Sequence, residues 1–269
     1  MGTRLVMITG VLDSITKRHW VFLVFVAVAV SVSTVDWTNT THAGAGRSIW
    51  MFVNALLTPD ISSTTLNAAV HAAWITVAYA AASISIAIIV GIPLGLIASG
   101  TVLSSGVSST SLTISVRAFL GFIRSIHELI WALLLVASFG LSPVVGVLAI
   151  AVPYSGIIGR VFAERLQDVP SQQLTAFEST GASSLQQVIA VRIPSALPNM
   201  TSYLFYRFEC AIRTAAVLSF VGLGGIGFRI QIALSDLKFE TVATLMYTLV
   251  ILILAIDLFC GFIRKRMIA

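Results

Sequence analysis

The sequence is poor in charged residues. Only 10% of its 269 residues are charged, whereas a soluble domain carries about 25%. Hydrophobic residues make up 57% of the chain. This composition excludes an ordinary soluble domain and indicates a protein of the lipid bilayer.

Cysteine and histidine are also scarce and are not arranged as ligands. Cys210 and Cys260 both fall in apolar runs, which argues against a disulfide scaffold and favours a packing role. The four histidines show no ligand spacing, and no acidic pair stands at metal-binding distance within an apolar run. We therefore predict no metal site and no catalytic residue.

Several short motifs are missing as well. The sequence contains no Gly-x-x-x-x-Gly-Lys-Ser/Thr motif, so the chain is not expected to handle ATP itself. It contains no intramembrane Ser-Lys or His-Glu-x-x-His pattern of a protease. The net charge is +5, but no basic cluster exceeds Arg264-Lys265-Arg266, so we predict no binding to nucleic acid.

What is present is a set of long apolar runs. A spanning helix needs roughly 20 apolar residues, and six stretches approach or reach that length. They lie near 19–36, 72–98, 117–139, 143–163, 200–222 and 241–263. The sequence therefore predicts an all-α polytopic membrane protein with six transmembrane helices.

Basic residues set the predicted orientation. With the amino terminus inside, both termini are cytoplasmic, and most Lys and Arg outside the spans fall on the cytoplasmic side. These residues are Arg4, Lys17, Arg18, Arg117, Arg160, Arg165, Arg192, Arg264, Lys265 and Arg266. We expect residues 1–66 to form an anchor and an extracytoplasmic loop (37–67), and residues 67–269 to form the main domain. Residues 99–116 are predicted to be a cytoplasmic linker.

A polar insert over residues 164–199 separates the fourth and fifth predicted spans. Pro170 suits a first helical turn, and Gly181 suits a left-handed stop, so two short helices hinged at glycine are predicted. Ser183 and Gln186 fit a capping box. Leu185, Val188, Ile189 and Arg192 share one amphipathic face, which Pro194 is predicted to close. Such a segment suits docking into the groove of a partner.

Gly181, nine further residues and then Val191-Arg192-Ile193-Pro194 resemble the EAA loop of ABC importer permeases. Thr175-Ala176-Phe177 stands where Glu-Ala-Ala is usual, and Glu178 is the nearest following carboxylate. The resemblance implies that this loop contacts a separate ATPase. The residues it assigns to coupling are Ala176, Phe177, Glu178, Gly181, Leu185, Val188, Arg192 and Pro194.

Six charged residues fall inside the predicted spans, where each unpaired charge costs about 2.5–3.5 kcal/mol on insertion scales. They are Arg124, Glu128, Arg207, Glu209, Arg213 and Asp257. The spacing puts Arg124 with Glu128, and Glu209 with Arg213, on one helix face. Similar depths predict interhelical pairs of Arg207 with Asp257 and of Arg213 with Glu128. Lining a pathway and holding the bundle together remain equally open roles.

The fifth predicted span adds a more specific signature. Tyr206-Arg207-Phe208-Glu209, Arg213 and the run from Val221 to Gly227 resemble phosphonate-importer permeases of the methionine-importer-like group. Ser125 to Ala132 also resembles this group, with His127 where proline is commoner, which predicts a straighter third span.

The glycine run itself permits two interpretations. Gly222-x-Gly224-x-x-Gly227 spells a dinucleotide-binding fingerprint, but a spanning helix precedes it instead of a buried strand, so nucleotide binding is not predicted. Gly222, Gly224, Gly225 and Gly227 are expected to break the helix at its outer end. The freed amides with Arg229 then form a candidate anion site, and a simple packing hinge is the alternative.

The resemblance implies an inner-membrane permease subunit of a binding-protein-dependent ABC importer for phosphonate, phosphate or phosphite. The resemblance implies that this subunit is not itself an enzyme. ATP and Mg²⁺ would bind to two partner ATPase subunits, and an extracytoplasmic binding protein would deliver the substrate. A second permease copy, identical or paralogous, would complete the pathway. Methionine as substrate, a proton-coupled secondary transporter using Glu128, Glu209 or Asp257, and a structural scaffold are the alternatives.

Overall fold

A computed structural model describes residues 19–34, 45–102 and 107–268, and every regular element in these ranges is a helix. The prediction of an all-α fold is confirmed for these residues. The chain divides into two compact units, Met1–Met51 and Phe52–Ala269. The α-helices are α1 (His19–Ser33), α2 (Ala45–Leu57), α3 (Ser63–Ser99), α4 (Val107–Ser125), α5 (Glu128–Phe139), α6 (Pro143–Gln167), α7 (Ser171–Glu178), α8 (Ser184–Gln187), α9 (Ile193–Leu218), α10 (Ile226–Ser235) and α11 (Phe239–Ile268).

The described part of the predicted amino-terminal anchor and outer loop contains helices α1 and α2. Helix α1 is apolar but shorter than 18 residues. Residues 45–57 of the predicted loop are helical, because Ile49, Phe52, Val53 and Leu56 recur at helical spacing. Residues 37–44 of that loop, residues 103–106 of the predicted linker, and Arg4, Lys17 and Arg18 lie outside the described residues.

Four helical runs are long and apolar enough to cross a membrane: Ser63–Ser99, Pro143–Gln167, Ser184–Ser235 and Phe239–Arg266. A fifth crossing exists if α4 and α5 count as one span, since together they pass the same test. The described residues thus hold four or five of the six predicted spans.

The predicted third span is sharply bent. Helices α4 and α5 meet at 88°, so the expectation that His127 straightens this region is wrong. His127 is the N-cap of α5, and its Nδ1 accepts a hydrogen bond from the Leu129 amide at 3.2 Å. Across the bend, Trp131 Nε1 donates to the carbonyl of Ile123 at 3.1 Å. The chain thus leaves α4 after Ser125 and starts a new helix, which the His127 side chain caps.

Glycines allow α3 and α6 to lie in close contact. A Cβ added at Gly95 would be 2.6 Å from the Gly159 carbonyl oxygen, and one added at Gly91 would be 2.8 Å from that of Ser155. Neither distance is tolerable for a side chain. We call this contact, made by Gly91, Gly95 and Gly159, the α3/α6 seam. Helix α6 is accordingly much more buried than α11. Of an apolar stretch of 18 residues in each helix, 61% is buried in α6 and 6% in α11.

Candidate functional site

The first candidate region is the segment Ser171–Arg192, which we call the coupling segment. Gly181 has φ +79°, the left-handed conformation predicted for it. The predicted capping box is also confirmed, since Ser183 Oγ accepts from the Gln186 amide and Gln186 Oε1 accepts from the Ser183 amide. Pro170 is the N-cap of α7, one residue before the predicted first turn. The two hinged helices are therefore α7 and α8.

The coupling segment exposes an apolar surface. Leu185 and Ile189 are 52% and 60% exposed, and Ala176 and Glu178 are exposed as well. A groove of about 460 Å³ runs beside Gly181. It is lined by Phe177, Thr180, Gly181, Ala182, Gln186, Ile189 and Ala190. A groove with an apolar rim on an otherwise polar segment is suited to receiving a partner.

Two predicted members of that surface point inward instead. Val188 is 2% exposed, so it does not share the outer face of Leu185 and Ile189. Arg192 donates from Nη1 to the carbonyl of Leu166 at 2.7 Å. This hydrogen bond attaches the end of the coupling segment to the end of α6. Val188 and Arg192 therefore hold the segment to the helical bundle.

Pro194 does not end the helix as predicted. Residues Val188–Arg192 form a π-helical turn, and α9 follows from Ile193 without a break. Pro194 lies in the first turn of α9, where a proline is tolerated. The π turn widens the helix just before the proline, so the chain stays helical from Ser184 to Leu218. The coupling segment is thus continuous with a spanning helix.

The second candidate region is a buried ion pair between α9 and α11. Glu209 is 6% exposed, and its Oε1 lies 2.8 Å from Arg264 Nη1. The contact is an ion pair without hydrogen-bond geometry. Asp257 and Arg213 lie close enough to act on the charge of Glu209. Sequence reasoning assigned Arg264 to membrane topology alone and missed this partner.

Arg207 does not pair with Asp257 as predicted. Its Nε donates to the Tyr203 hydroxyl at 2.6 Å. Its guanidinium carbon lies 5.2 Å from the ring centre of Tyr203 and 5.7 Å from those of Tyr154 and Tyr206. The prediction of a carboxylate partner overlooked that tyrosine rings and hydroxyls also stabilise a guanidinium. Tyrosine three or four residues from an arginine within an apolar run was the available signal.

The bend between α4 and α5 changes the other predicted pairs. Arg124 ends α4 and Glu128 begins α5, so the two no longer share one helix face. Glu128 Oε2 instead lies 3.4 Å from His127 Nε2. Within the described residues no ion pair of 4.0 Å or less joins Arg213 to Glu128. Arg124 and Arg213 are both exposed.

The glycine run forms a turn in which Gly225 and Gly227 are buried and Gly222 and Gly224 are half-buried. Gly222, Gly224 and Gly225 have φ of +97°, +88° and +93°. The amide of Ile226 donates to Thr76 Oγ1 at 3.0 Å, and that of Gly227 donates to Ser219 Oγ at 2.8 Å.

The amides of Ile226 and Gly227 are therefore not available to the candidate anion site, because the buried hydroxyls of Thr76 and Ser219 already accept their hydrogen bonds. Arg229 is exposed beside a separate groove of about 220 Å³. Among the described residues no group of three or more His, Cys, Asp or Glu could hold a metal ion.

Comparisons with known proteins agree with this architecture. Residues 91–268 match the family of the binding-protein-dependent transport system inner membrane component. The chain is 32% identical over 245 residues to the putative phosphite transport system permease protein HtxC of Stutzerimonas stutzeri, covering 90% of this chain and 84% of that protein. It is 27% identical over 193 residues to the phosphate-import permease protein PhnE of Mycolicibacterium smegmatis, covering 72% of this chain and 36% of that protein.

The fold also matches a chain from the MetNI methionine ABC transporter in inward-facing conformations. The TM-score is 0.66 at 22% identity, and the match covers 77% of this chain and 99% of that chain. The chain therefore belongs to the family of binding-protein-dependent transport system inner membrane components, the type I permease subunits of ABC importers.

Proposed function

We propose that this permease moves a phosphorus oxyanion, namely phosphonate, phosphate or phosphite, across the inner membrane by ATP-driven alternating access. The relatives named for phosphite and phosphate support this substrate class. The observation that carries the mechanism is the unbroken helix from α8 through the π turn into α9. Any displacement of α8 is passed directly to the span that carries Arg207.

In this mechanism the coupling segment docks on an ATPase subunit. Leu185 and Ile189 offer apolar contact, the groove beside Gly181 receives a partner side chain, and Glu178 lies exposed nearby. Two such ATPase subunits bind ATP and Mg²⁺, while a second permease copy completes the pathway. ATP binding closes the ATPases and opens the spans outward to the binding protein, and hydrolysis resets the inward-facing state. Both termini are cytoplasmic in this arrangement.

The test is ATP hydrolysis by the complex reconstituted with its ATPase and binding protein. Methylphosphonate, phosphate, phosphite and methionine are titrated against wild type and Gly181→Pro. We expect one phosphorus oxyanion to stimulate hydrolysis and the variant to lose that stimulation. Proline is incompatible with φ +79°, since its ring fixes φ near −65°. Stimulation by methionine alone would contradict the substrate class, and full stimulation of the variant would contradict the coupling role.

A further inference from the structure

One face of α9 carries polar side chains through the middle of an apolar span. At about 100° per residue these positions fall on one stripe. They are Asn199, Tyr203, Tyr206, Arg207, Cys210 and Thr214. Hydrocarbon chains cannot solvate such groups, so the stripe must face protein or a water-filled route.

The acidic group of α9 lies on another side of the helix. Glu209 follows Arg207 by two residues, which separates their directions by about 160°. Glu209 is buried in its ion pair with Arg264. No carboxylate among the described residues lies within 4.0 Å of Arg207. The fold thus neutralises the acid and leaves the cation of the stripe without an anionic partner.

The surroundings of Arg207 orient it and leave donors free. Tyr203 accepts only from Nε, at 2.6 Å, and neither Nη group has a hydrogen-bond acceptor among the described residues. The side chain is half-buried. Three tyrosine rings within 5.7 Å restrict its position. The result is a planar cationic fork with its two terminal nitrogens available, the geometry that binds phosphorus oxyanions bidentately.

Neutral hydroxyl groups complete the cluster. The hydroxyls of Tyr154 and Thr214 lie 3.1 Å apart, which joins α6 to the same stripe. Glu128, at the start of α5, is near enough to Tyr154 to act on it electrostatically, so an acidic residue lies close to these hydroxyls. Hydroxyl groups can donate hydrogen bonds to an oxyanion, but because they are uncharged they bind it less tightly than a second arginine would.

We propose that Arg207, with Tyr154, Tyr203, Tyr206 and Thr214, forms a transient binding site for a tetrahedral phosphorus oxyanion within the permease. The proposal rests on the proposed function and adds a substrate contact inside the spans. Arg207 is the one cation among these five residues, and a site with one cation allows release, as transport requires. The competing role is packing, in which stacked tyrosines and arginine only attach α9 to α6.

Charge rescue separates the two roles. The complex is reconstituted in proteoliposomes with Cys210→Ser and Cys260→Ala, and uptake of radiolabelled phosphate, phosphite and methylphosphonate is measured. Arg207→Cys is then treated with 2-aminoethyl methanethiosulfonate, which adds an ammonium, or with the 2-sulfonatoethyl reagent, which adds a sulfonate. Lys265→Cys, at an exposed position in the last turn of α11, is the matched control.

We expect Arg207→Cys to lower oxyanion uptake at least about tenfold, as loss of a charge-assisted hydrogen bond predicts. The ammonium reagent should restore most of the uptake and the sulfonate reagent none, with Lys265→Cys unaffected by either. Uptake by Arg207→Cys within about twofold of its parent, or equal effects of the two reagents, would overturn the site.

Two controls keep the result interpretable. If Arg207→Cys does not assemble, Arg207→Gln replaces it, and unchanged uptake by Arg207→Gln would likewise overturn the site. If the parent complex takes up none of the three oxyanions, the proposed function fails and the site fails with it. If the parent takes them up and the Arg207 variants do so equally well, only the site fails.

Discussion

Glycine acts in opposite ways in the α3/α6 seam and in the coupling segment. At Gly95 a side chain would collide with the backbone of α6, whereas a Cβ added at Gly181 would meet nothing within 4 Å. Gly95 is helical, and Gly181 has φ +79°. The seam thus needs glycine for its small size and the coupling segment needs it for its backbone conformation. The first requirement keeps two helices in close contact, and the second sets the direction of the chain at an exposed corner between α7 and α8.

The largest effect is expected from Gly95→Val, which tests whether the α3/α6 seam needs glycine for its small size. The added Cβ would lie 2.6 Å from the Gly159 carbonyl oxygen and 3.1 Å from Phe162. Overpacking of this kind costs about 1–3 kcal/mol or more. We expect a large fall in thermal midpoint and in monodisperse complex, measured in detergent by size exclusion and thermal unfolding. Gly121→Val is the matched control, since a Cβ added at Gly121 meets nothing within 4 Å. Equal stability of the two variants would disprove the seam.

An intermediate effect is expected from Gly181→Val, which tests whether the coupling segment needs glycine for its left-handed backbone conformation. The left-handed backbone costs an ordinary residue roughly 1–2 kcal/mol. This strain falls on an exposed corner with open space around it, so the thermal midpoint should fall by less than in Gly95→Val, while substrate-stimulated ATP hydrolysis falls severalfold. Gly181→Asn should retain most of the stimulation, because asparagine tolerates the left-handed region. Equal loss in both variants would point to side-chain bulk in the groove.

The smallest effect is expected at the edge of the packed region, where Asp60 precedes α3. Hydrogen bonds from the Thr65 hydroxyl and from Ser62 hold the pKa of the Asp60 carboxyl below its usual 3.8. A lowered pKa means that the stabilisation is complete above pH 3.8 and is lost as the pH falls through the lower folded-state value. Asp60→Asn should therefore lower the thermal midpoint slightly at pH 7.

The pH dependence checks the origin of this effect. The difference between wild type and Asp60→Asn should shrink as the pH falls below 3.8. Two hydrogen bonds use the backbone of residue 60 and therefore persist in the variant: the Asp60 amide donates to the Glu240 carbonyl, and the Thr244 hydroxyl donates to the Asp60 carbonyl. A difference that is the same at neutral and acidic pH would show that the carboxylate charge is not the cause.

Local signals in the sequence predicted local structure well. The left-handed Gly181 and the capping box of Ser183 and Gln186 were predicted because the residues that determine them are neighbours in the chain. The family resemblance was confirmed for the same reason, since its motifs are short and contiguous. The continuation of the helix through Pro194 was missed, because the π turn that permits it depends on packing of Val188 against the bundle.

Partners distant in sequence were predicted poorly. Helical depth suggested carboxylates for Arg207 and Arg213, but depth along an axis does not fix the rotation of one helix against another. Arg264 reaches Glu209 from near the end of α11, and Tyr154 reaches Arg207 from α6. The bend at His127 also moved Glu128 away from Arg124. These contacts depend on the assembled bundle and leave no periodic signal in any single helix.

The π-helical turn at Val188–Arg192 determines how far α8 is rotated about the helix axis relative to α9. Such a turn holds one residue more than an α-helical turn, which corresponds to about 100° of rotation. The winding of the five residues Val188–Arg192 therefore determines the angle about the helix axis between Leu185 and Ile189 at one end and Arg207 at the other. If this turn rewound to α-helix, the docking face would swing by more than a quarter of a circle while the sequence stayed the same. In the proposed mechanism, a change in the winding of this one turn would therefore rotate the surface proposed to contact the ATPase relative to the spanning part of α9.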